Sequence, residues 1–343
     1  MGIIGGGFDR EKIKLFEIGP YEITSRTLLA PMAGITDKPF RAICKKQGAG
    51  LTTSEMVTSD LDLINSKKTK LRLSFSEFDS PRSVQIVGSD PKKLAEAAKF
   101  NVRNGAQIID INMGCPAKKV CNVASGSALL KNEKLVANIL ATVVNSVDVP
   151  VTLKTRTGWS KQNRNGLAIA KIAENEGVAA LAVHGRTKEC AFTGNAEYET
   201  IAKIKEQTSI PIFVNGDITS PEKAKQVLDF TNADAVMIGR AAFGNPWIFR
   251  EINHYLRTGD FLQKPDLFER QKCLVEHITK LHKLYGEFRG LRIARKHINW
   301  YCSAIEGYTS VRKVINGTES ANEQLARINH FFHQSIMEGE TAA

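Results

Sequence analysis

The hydrophobic pattern of this chain takes the same form eight times between residues 27 and 240: a short apolar run ends in polar or glycine residues. Short runs of this kind, without strict alternation, are typical of parallel strands that are buried on both faces. The eight runs are TLLAPMAG (27–34), LTTSEM (51–56), SVQIVG (83–88), IIDINMG (108–114), PVTLKTRTG (150–158), ALAVHGR (180–186), PIFVNGD (211–217) and AVMIGR (235–240).

Segments with helical periodicity lie between most of these runs. Two examples are residues 91–105 and residues 220–230, where Ser220 is a suitable N-cap before Pro221. Eight strand-then-helix units over about 220 residues have the usual size of a (β/α)8 TIM barrel. A doubly wound sheet is the alternative, but it usually has fewer strands and a glycine-rich GxGxxG turn, which is absent here. The pattern therefore favours an α/β chain with a TIM barrel.

The two ends of the chain differ from this repeat. Residues 12–24 alternate around Gly19-Pro20, which predicts a short hairpin within an N-terminal extension (1–23). The barrel is expected at 24–256. After the linker RTGDFLQKP (257–265), strand-like runs stop and helical spacing continues, which predicts a small all-helical domain at 265–335.

Composition narrows the class of protein. The chain has 343 residues, with 47 Lys and Arg against 36 Asp and Glu, a net charge of +11 that attracts polyanions such as nucleic acid. Its six cysteines lack disulfide-framework or zinc-finger spacing, so we expect reduced thiols and no metal site. The start of the chain does not resemble a signal peptide, and no run is apolar enough for a membrane span. We expect a cytoplasmic monomer that does not bind a membrane.

The segment Ile108–Pro116 is the most informative. An apolar run ends in Asn112, and Gly114 and Pro116 interrupt the strand around Cys115. In a TIM barrel the strand tips carry the chemistry, so this thiol is placed to move a proton or to attack a substrate. The alternative is an inert cysteine, because free cysteines are usually small buried hydrophobes.

The last two predicted strands end in glycine-containing turns. Asn215-Gly216-Asp217 follows the seventh strand, and Gly239-Arg240 follows the eighth. These two loops commonly form a phosphate site in TIM barrels, where glycine allows close approach of the backbone and arginine adds a charged donor. The alternative is that both glycines only permit tight turns.

Three polar residues interrupt other strands near the same predicted mouth. Lys154 is costly to bury unless it meets an anion, forms a Schiff base, faces the electron-rich edge of a flavin, or pairs with a structural carboxylate. His184 is either a ligand contact or a satisfied core residue. Gln85 offers an amide for a planar ring with donors and acceptors, or ties down a loop.

Positive charges follow three consecutive predicted strands and would steer a large anion to the mouth of the barrel. They are Lys118 and Lys119, then Arg156, Lys161 and Arg164, then Arg186 and Lys188. In the predicted helical domain, Arg289, Arg292 and Lys296 have i, i+3, i+7 spacing with Arg295 close by, which predicts a basic stripe suited to phosphates. The alternative is an ordinary solvated helix.

Taken together, these motifs resemble those of the bacterial tRNA-dihydrouridine synthase family, and within it the B subfamily most. The resemblance covers both domains, from about Thr27 to about residue 335. The motifs that carry it are APMAGITDKPFR (30–41), QIVGSDP (85–91), DINMGCPAKKV (110–120), GSALL (126–130), VTLKTRTGW (151–159), VHGRT (183–187), NGDI (215–218), MIGRAAFGNPWIF (237–249) and RIARKHINWY (292–301).

This resemblance implies an enzyme that uses FMN and NADPH to reduce a D-loop uridine of tRNA to dihydrouridine, with nucleotide 17 as the subfamily's expected target. It implies that Cys115 is the proton donor and that Asn112 positions the uracil. The residues implied to hold FMN are Pro31, Met32, Ala33, Gln85, Lys154, His184, Asn215, Gly216, Asp217, Gly239 and Arg240. The residues expected to contact RNA are Lys118, Lys119, Arg186, Arg289, Arg292, Arg295 and Lys296.

Two other functions are compatible with parts of the sequence. An FMN barrel acting on a free pyrimidine would need neither the Arg289–Lys296 stripe nor a helical domain. An RNA-binding protein that has lost its activity would not need Cys115, Lys154 and both phosphate loops. The tRNA-modifying enzyme is the function that uses all of these features.

Overall fold

The eight apolar runs form the parallel strands of one curled sheet. The computed structural model describes residues 15–60, 63 and 66–341. Its strands are β1 (Phe16–Ile18), β2 (Tyr21–Ile23), β3 (Thr27–Leu29), β4 (Leu51–Thr52), β5 (Val57–Thr58), β6 (Ser83–Val87), β7 (Ile108–Asn112), β8 (Val151–Arg156), β9 (Ala180–His184), β10 (Ile212–Asn215) and β11 (Ala235–Ile238). From β3 onward, every predicted run contains a strand, and the polar end of each run forms the loop after it.

The sheet closes into a barrel through one interrupted strand. The order of strands is β4-β3-β11-β10-β9-β8-β7-β6-β5, and each neighbouring pair is parallel. β4 pairs with β3, whereas Thr53 and β5 pair with β6. The short β5, which the pattern does not predict, is therefore the continuation of β4 after a break at residues 54–56. The predicted TIM barrel is confirmed.

A hairpin covers the amino-terminal end of the barrel. β1 and β2 pair antiparallel around Gly19-Pro20, as the alternation predicts for the described part of residues 12–24. Phe16, Ile18 and Ile23 are buried against apolar strand residues inside the barrel, and the Phe16 ring lies 5.2 Å from that of Phe213. The hairpin thus fills one end and leaves the carboxyl ends of the strands open. The remainder of the predicted extension, residues 1–14, lies outside the described residues.

Helices cover the outside of the barrel. They are α1 (Lys38–Lys46), α2 (Lys67–Arg72), α3 (Pro91–Arg103), α4 (Lys118–Cys121), α5 (Glu133–Val144), α6 (Gly166–Asn175), α7 (Glu199–Gln207), α8 (Pro221–Thr231) and α9 (Ile248–Thr258), with 3-10 segments at Gly126–Lys131 and Arg240–Ala242. Ser220 caps α8 as predicted, since its side chain accepts a hydrogen bond from Lys223 N. The main apolar core lies between these helices and the strands.

The chain after the barrel is helical, as predicted. Its helices are α10 (Leu267–Tyr285), α11 (Glu287–Cys302), α12 (Tyr308–Asn316) and α13 (Ala321–Thr341). They share a second apolar core that includes Ile278, Ile298 and Phe332. α9 continues through residues 257 and 258, at the start of the predicted linker, and α13 continues beyond residue 335.

The helical region packs on the barrel beside the open end. The Phe40 ring of α1 stacks on the His277 ring of α10 at 5.6 Å, and Tyr285 Oη donates to Asp37 Oδ2 at 3.1 Å. Lys296 Nζ of α11 donates to the carbonyl of Gly34 in the loop after β3. These contacts bring α11 to the rim of the barrel mouth.

Candidate active site

A cavity of about 1080 Å³ lies at the carboxyl ends of the strands. All twelve residues predicted for FMN and proton donation, together with Asn112, line it. They are Pro31, Met32, Ala33, Gln85, Asn112, Cys115, Lys154, His184, Asn215, Gly216, Asp217, Gly239 and Arg240. Residues from the loop after β3, from β6 to β11 and from the loops after these strands therefore meet in one space, as expected when the strand ends of a parallel barrel converge.

The loop that carries Cys115 is held by hydrogen bonds on both sides. Asn112 Oδ1, at the end of β7, accepts from Gly114 N at 3.2 Å and from Cys115 N at 2.9 Å. The Cys115 carbonyl accepts from Ser127 N at 3.1 Å and from Ser127 Oγ at 2.9 Å. Arg156 Nε donates to Gly114 O at 2.6 Å. The position of the thiol is therefore defined by the fold.

The electrostatic surroundings favour the neutral form of this thiol. Burial, the largest effect, raises the pKa of Cys115, while the backbone of Ala117 and the charges of Arg156 and Lys154 offset part of that rise. A thiol that stays protonated at neutral pH can donate a proton, whereas nucleophilic attack requires the thiolate. Of the two possibilities open at the sequence level, the environment favours the proton donor.

Lys154 is a buried cation beside the same space. It is 9% exposed, and its Nζ donates to Asn215 Oδ1 at 3.1 Å. Burial first and Arg156 second lower the pKa of Lys154 to about 8. Asn112 and Lys154 are register partners on β7 and β8, so the ammonium lies one strand from the Cys115 loop. Its hydrogen-bond partner is an amide rather than a carboxylate, so the ammonium remains suited to a ligand with anionic character.

His184 lies between cations and is kept neutral. Burial, followed by the charges of Lys154 and Arg156, lowers the pKa of His184 to about 2. Arg186 Nη1 lies 3.3 Å from His184 Nε2, and a guanidinium can only donate, so Nε2 is the acceptor and we assign the proton to Nδ1. His184 can therefore donate one hydrogen bond to a ligand.

The two predicted phosphate loops have the geometry of an anion cradle. Gly216 has φ +117°, and a Cβ there would lie 2.9 Å from Ala196 Cβ, so no larger residue fits. At Gly239 the nearest atoms to a Cβ would be Met32 Sδ at 3.6 Å and Ala30 Cβ at 4.0 Å, both in residues that line the cavity. A side chain at Gly239 would therefore project into the cavity.

Donors in these loops remain available. Within the described residues, the backbone N–H groups of Gly216, Gly239 and Arg240 donate to no protein acceptor. The Arg240 side chain is 58% exposed, and its Nη2 donates to Asp217 Oδ1 at 3.1 Å. Free N–H groups and a guanidinium are the donor set that phosphate prefers, so the loops fit a ligand that carries a phosphate group.

Arg186 requires a correction, because its predicted contact with RNA does not agree with its position. The residue is 3% exposed. Its guanidinium donates to Asp217 Oδ2 at 2.7 Å, Gly194 O at 2.6 Å and Thr193 O at 3.2 Å. Since Asp217 also accepts from Arg240, the acid joins two arginines. Arg186 therefore holds the loop that carries Asp217 instead of facing solvent.

Arg156 is likewise buried, at 2% exposure, and is not part of a solvated rim. It joins the Gly114 loop to Thr187 O at 3.1 Å and Ala191 O at 2.8 Å. By contrast, Lys118 and Lys119 on α4 are exposed, as are Lys161 and Arg164. The last two border a separate cavity of about 670 Å³ next to the loop after β9.

The predicted basic stripe of α11 divides into two pairs. Arg289 and Arg292 are exposed, and the Arg292 guanidinium lies 3.7 Å from the centroid of the exposed Phe288 ring. Arg295 and Lys296 are half-buried, and Lys296 reaches Gly34 on the barrel. The helix thus presents two arginines to solvent and uses its lysine at the junction with the barrel.

Several residues at the site were not found from the sequence. Trp300 of α11 lines the cavity and stacks on Phe243 with ring centroids 4.3 Å apart. Phe192, 56% exposed, lines the other side. Asp110 lies beside Gln85 on the neighbouring strand and accepts a hydrogen bond from its side chain. The signal for Asp110 was available, because a buried acid two positions before Asn112 must share its face of the strand.

Two negative findings concern the described part of the chain only. No group of three or more His, Cys, Asp or Glu side chains there is arranged to hold a metal ion. None of the helices there combines the length and apolar character needed to span a bilayer.

Comparisons with known proteins agree on one family. The family model "Dihydrouridine synthase (Dus)" matches residues 28–336. The chain is 57% identical over 331 residues to tRNA-dihydrouridine synthase B of Pseudomonas aeruginosa, covering 96% of this chain and 100% of that protein. It is 53% identical over 315 residues to the protein of the same name in Salmonella typhimurium, covering 92% and 98%.

Solved structures show the fold at low identity. Histamine dehydrogenase from Rhizobium sp. 4-9 matches with a TM-score of 0.56 at 12% identity, over 93% of this chain and 64% of that one. A 2-naphthoyl-CoA reductase matches with a TM-score of 0.55 at 11% identity, over 71% and 51%. At these identities the likeness concerns the barrel architecture alone.

Proposed function

Because this chain belongs to the dihydrouridine synthase family, we propose that it reduces a uridine of tRNA to dihydrouridine with FMN as its cofactor and NADPH as the reductant. The proposal rests above all on one juxtaposition: a neutral thiol, Cys115, shares a cavity with a buried cation, Lys154, and with free phosphate-binding N–H groups. The name of the close relatives supports tRNA as the substrate.

The residues present fit the cofactor. Pro31, Met32 and Ala33 would line the flavin ring, with Gln85 and Lys154 at its polar edge. Gly216, Gly239 and Arg240 would hold the phosphate, while His184, Asn215 and Asp217 would support the ribityl chain and the loops around it. Lys154 is the charged group best placed to stabilise electron density on the reduced ring. Bound FMN would supply the hydride, which we assign to carbon 6 of the uracil.

The protein residues then complete the reduction. Hydride addition at carbon 6 builds negative charge toward the carbonyl at carbon 4, so carbon 5 must receive a proton. Cys115, held by Asn112 and kept neutral by burial, would donate it. General-acid help of this kind contributes roughly a hundred- to ten-thousand-fold in rate. Asn112 would also position the base from the end of β7.

The substrate must be extruded to reach this cavity. Unstacking a base costs a few kcal/mol, which phosphate contacts elsewhere must offset. We propose that the helical region from residue 265 onward and the exposed lysines of α4 make these contacts. The residues concerned are Lys118, Lys119, Arg289, Arg292, Arg295 and Lys296. We also propose that the enzyme is a monomer in the bacterial cytoplasm and that it modifies nucleotide 17 in the D-loop of tRNA.

Reconstitution tests this function. Protein supplied with FMN, NADPH and unmodified tRNA is expected to form dihydrouridine, detectable by mass spectrometry of the digested RNA at a single position. Free uracil and uridine are the matched control substrates and should not react. Absence of flavin from protein that has been offered FMN would contradict the cofactor, and reaction with free uracil alone would contradict the RNA substrate.

A further inference from the structure

A buried carboxylate inside the barrel has no part in the chemistry described above. Asp110 is 6% exposed in the middle of β7. Its register partners are Gln85 on β6 and Thr152 on β8. Asp110 Oδ1 accepts from Thr152 Oγ1 at 2.7 Å, and Oδ2 accepts from Gln85 Nε2 at 2.7 Å. One acid therefore joins three adjacent strands beneath the cavity.

The hydrogen bonds continue from Gln85 to the loop that carries the thiol. Gln85 Oε1 accepts from Asn112 Nδ2 at 2.8 Å. Asn112 Oδ1 in turn accepts from Gly114 N at 3.2 Å and from Cys115 N at 2.9 Å. Asp110 and the amide of Cys115 are thus connected through two side-chain amides, each with its nitrogen toward Asp110 and its oxygen toward the loop.

The direction of this chain follows from the donor and acceptor inventory. An ionised carboxylate only accepts, whereas Asn and Gln each have a donating and an accepting end and can be turned over. Because Asp110 takes the nitrogen of Gln85, the oxygen of Gln85 must face Asn112. Asn112 must then offer its nitrogen to Gln85 and its oxygen to Gly114 and Cys115. Turning either amide over would break bonds along the chain.

We propose that Asp110 is a positioning residue: it sets the orientation of the Gln85 and Asn112 amides and through them holds the Cys115 loop. This inference rests on the proposed function for its catalytic meaning. Asp110 would also couple two parts of the site, because Gln85 is proposed to face the flavin edge and Asn112 holds the Cys115 loop. A substitution at Asp110 would therefore alter both the flavin edge and the Cys115 loop.

The environment of Asp110 agrees with this role. Burial raises the pKa of Asp110 to about 6, while Thr152, Gln85 and the charge of Lys154 lower it in part. The group is then ionised, and acceptor-only, at neutral pH. A buried carboxylate is costly unless donors compensate it, and both oxygens of Asp110 accept hydrogen bonds from neighbouring strands.

The first experiment is Asp110→Asn, which nearly preserves shape but allows both orientations of the neighbouring amides. The readout is the rate at which iodoacetamide labels Cys115 in the purified protein, measured by peptide mass spectrometry. Cys273 lies on α10, away from this loop, and in a separate tryptic peptide between Lys272 and Lys280, so Cys273 is the internal reference. We expect labelling of Cys115 to rise about five-fold for each backbone hydrogen bond that is broken, with Cys273 unchanged.

The second experiment is a rescue. Gln85→Glu alone places two carboxylates next to each other. Their repulsion should displace the side chain at position 85 from Asn112 and thereby also release the Cys115 loop. Combined with Asp110→Asn, the new amide nitrogen at position 110 can donate to the new carboxylate at position 85, which still accepts from Asn112. Labelling of Cys115 should return to the wild-type rate in the double variant, and kcat for tRNA should recover less, because the flavin edge has changed. Rescue of this kind is not expected from a general loss of stability.

Thr152→Ser is the matched control, because it removes a methyl group next to Asp110 but keeps the hydroxyl that donates to Asp110 and leaves the link to Gln85. It should label Cys115 at the wild-type rate. A folded Asp110→Asn variant with wild-type labelling, or a defect that the double variant does not reverse, would overturn the inference. Labelling does not need substrate, so loss of tRNA reduction in the wild-type protein would defeat the proposed function while leaving this test intact.

Discussion

The barrel mouth and the helical region use positive charge in opposite ways. At the mouth, Lys154, Arg156 and Arg186 are buried. The two arginines donate to several protein acceptors, whereas Lys154 donates to Asn215 and keeps donors for a ligand. On α11, Arg289 and Arg292 are exposed to solvent. Buried cations define local geometry and act on a ligand at contact distance, whereas exposed cations act at long range and are screened by salt. We therefore expect that substitutions at the mouth can abolish reduction without loss of tRNA binding, and that substitutions on α11 can weaken tRNA binding without loss of flavin.

The largest effect is expected from Cys115→Ala. Without the proton donor, dihydrouridine formation should fall at least about a hundred-fold, while flavin content and tRNA affinity stay unchanged. The measurement is single-turnover reduction of tRNA, with flavin absorbance to count the loaded sites. Cys121→Ala, six residues further on, is the control and should retain activity. A Cys115→Ala variant with wild-type turnover would remove the thiol from the mechanism.

The second effect concerns pH and Lys154. Since the pKa of Lys154 is lowered to about 8, the ammonium is charged below that pH and is lost as the pH rises through it. We expect kcat to fall as pH rises above about 8. Lys154→Met should remove this alkaline limb and leave a uniformly low rate, about ten-fold or more below wild type. If kcat of the Lys154→Met variant still falls above about pH 8, the fall is caused by the titration of another group.

A third prediction concerns the junction between the two regions. His277 and His297 are fully buried, and among the described residues their four ring nitrogens have no hydrogen-bond partner. Burial, with Lys280 next, lowers the pKa of His277 to about 3, and burial also lowers the pKa of His297. As the pH falls below about 6.5, these histidines bind protons in the unfolded state but remain neutral in the folded state. The free energy of unfolding therefore decreases.

For His277 alone, this linkage amounts to about 2 kcal/mol by pH 5. Urea unfolding at pH 7.5 and pH 5 would measure it, and His277→Phe should reduce the difference. His330, exposed on α13, supplies the control His330→Phe, for which we expect the wild-type pH dependence. Equal pH dependence in wild type and His277→Phe would contradict the assignment.

The smallest effect is expected at the exposed arginines. Arg289→Ala with Arg292→Ala should weaken tRNA binding and reduce the slope of log affinity against log salt by about 1 for each phosphate that the protein no longer neutralises. Lys225→Ala is the control, because Lys225 is exposed on α8 and pairs with Asp229. Binding should be measured over a salt series. An unchanged slope would show that these arginines do not contact tRNA phosphates. A changed flavin content would show that the helical region and the barrel mouth do not act independently.

Much of this site could be predicted because strand tips in a parallel barrel converge. Once the eight apolar runs are aligned, residues as distant as Pro31 and Arg240 must approach one another, and both line the cavity. Arg186 was wrongly assigned to RNA because the sequence shows its charge but not its burial. Trp300 was missed because nothing in the pattern of α11 indicates that this helix packs its last turns against the barrel mouth.

The sequence alone therefore determined the barrel, the helical region after it, and the residues at the ends of the strands, because periodicity and turn residues are local properties of the chain. The tertiary structure decided which cations are buried, how the Asp110 chain of hydrogen bonds runs, and how α11 meets the mouth. Those outcomes depend on contacts between residues far apart in sequence, and only packing brings them within hydrogen-bond distance.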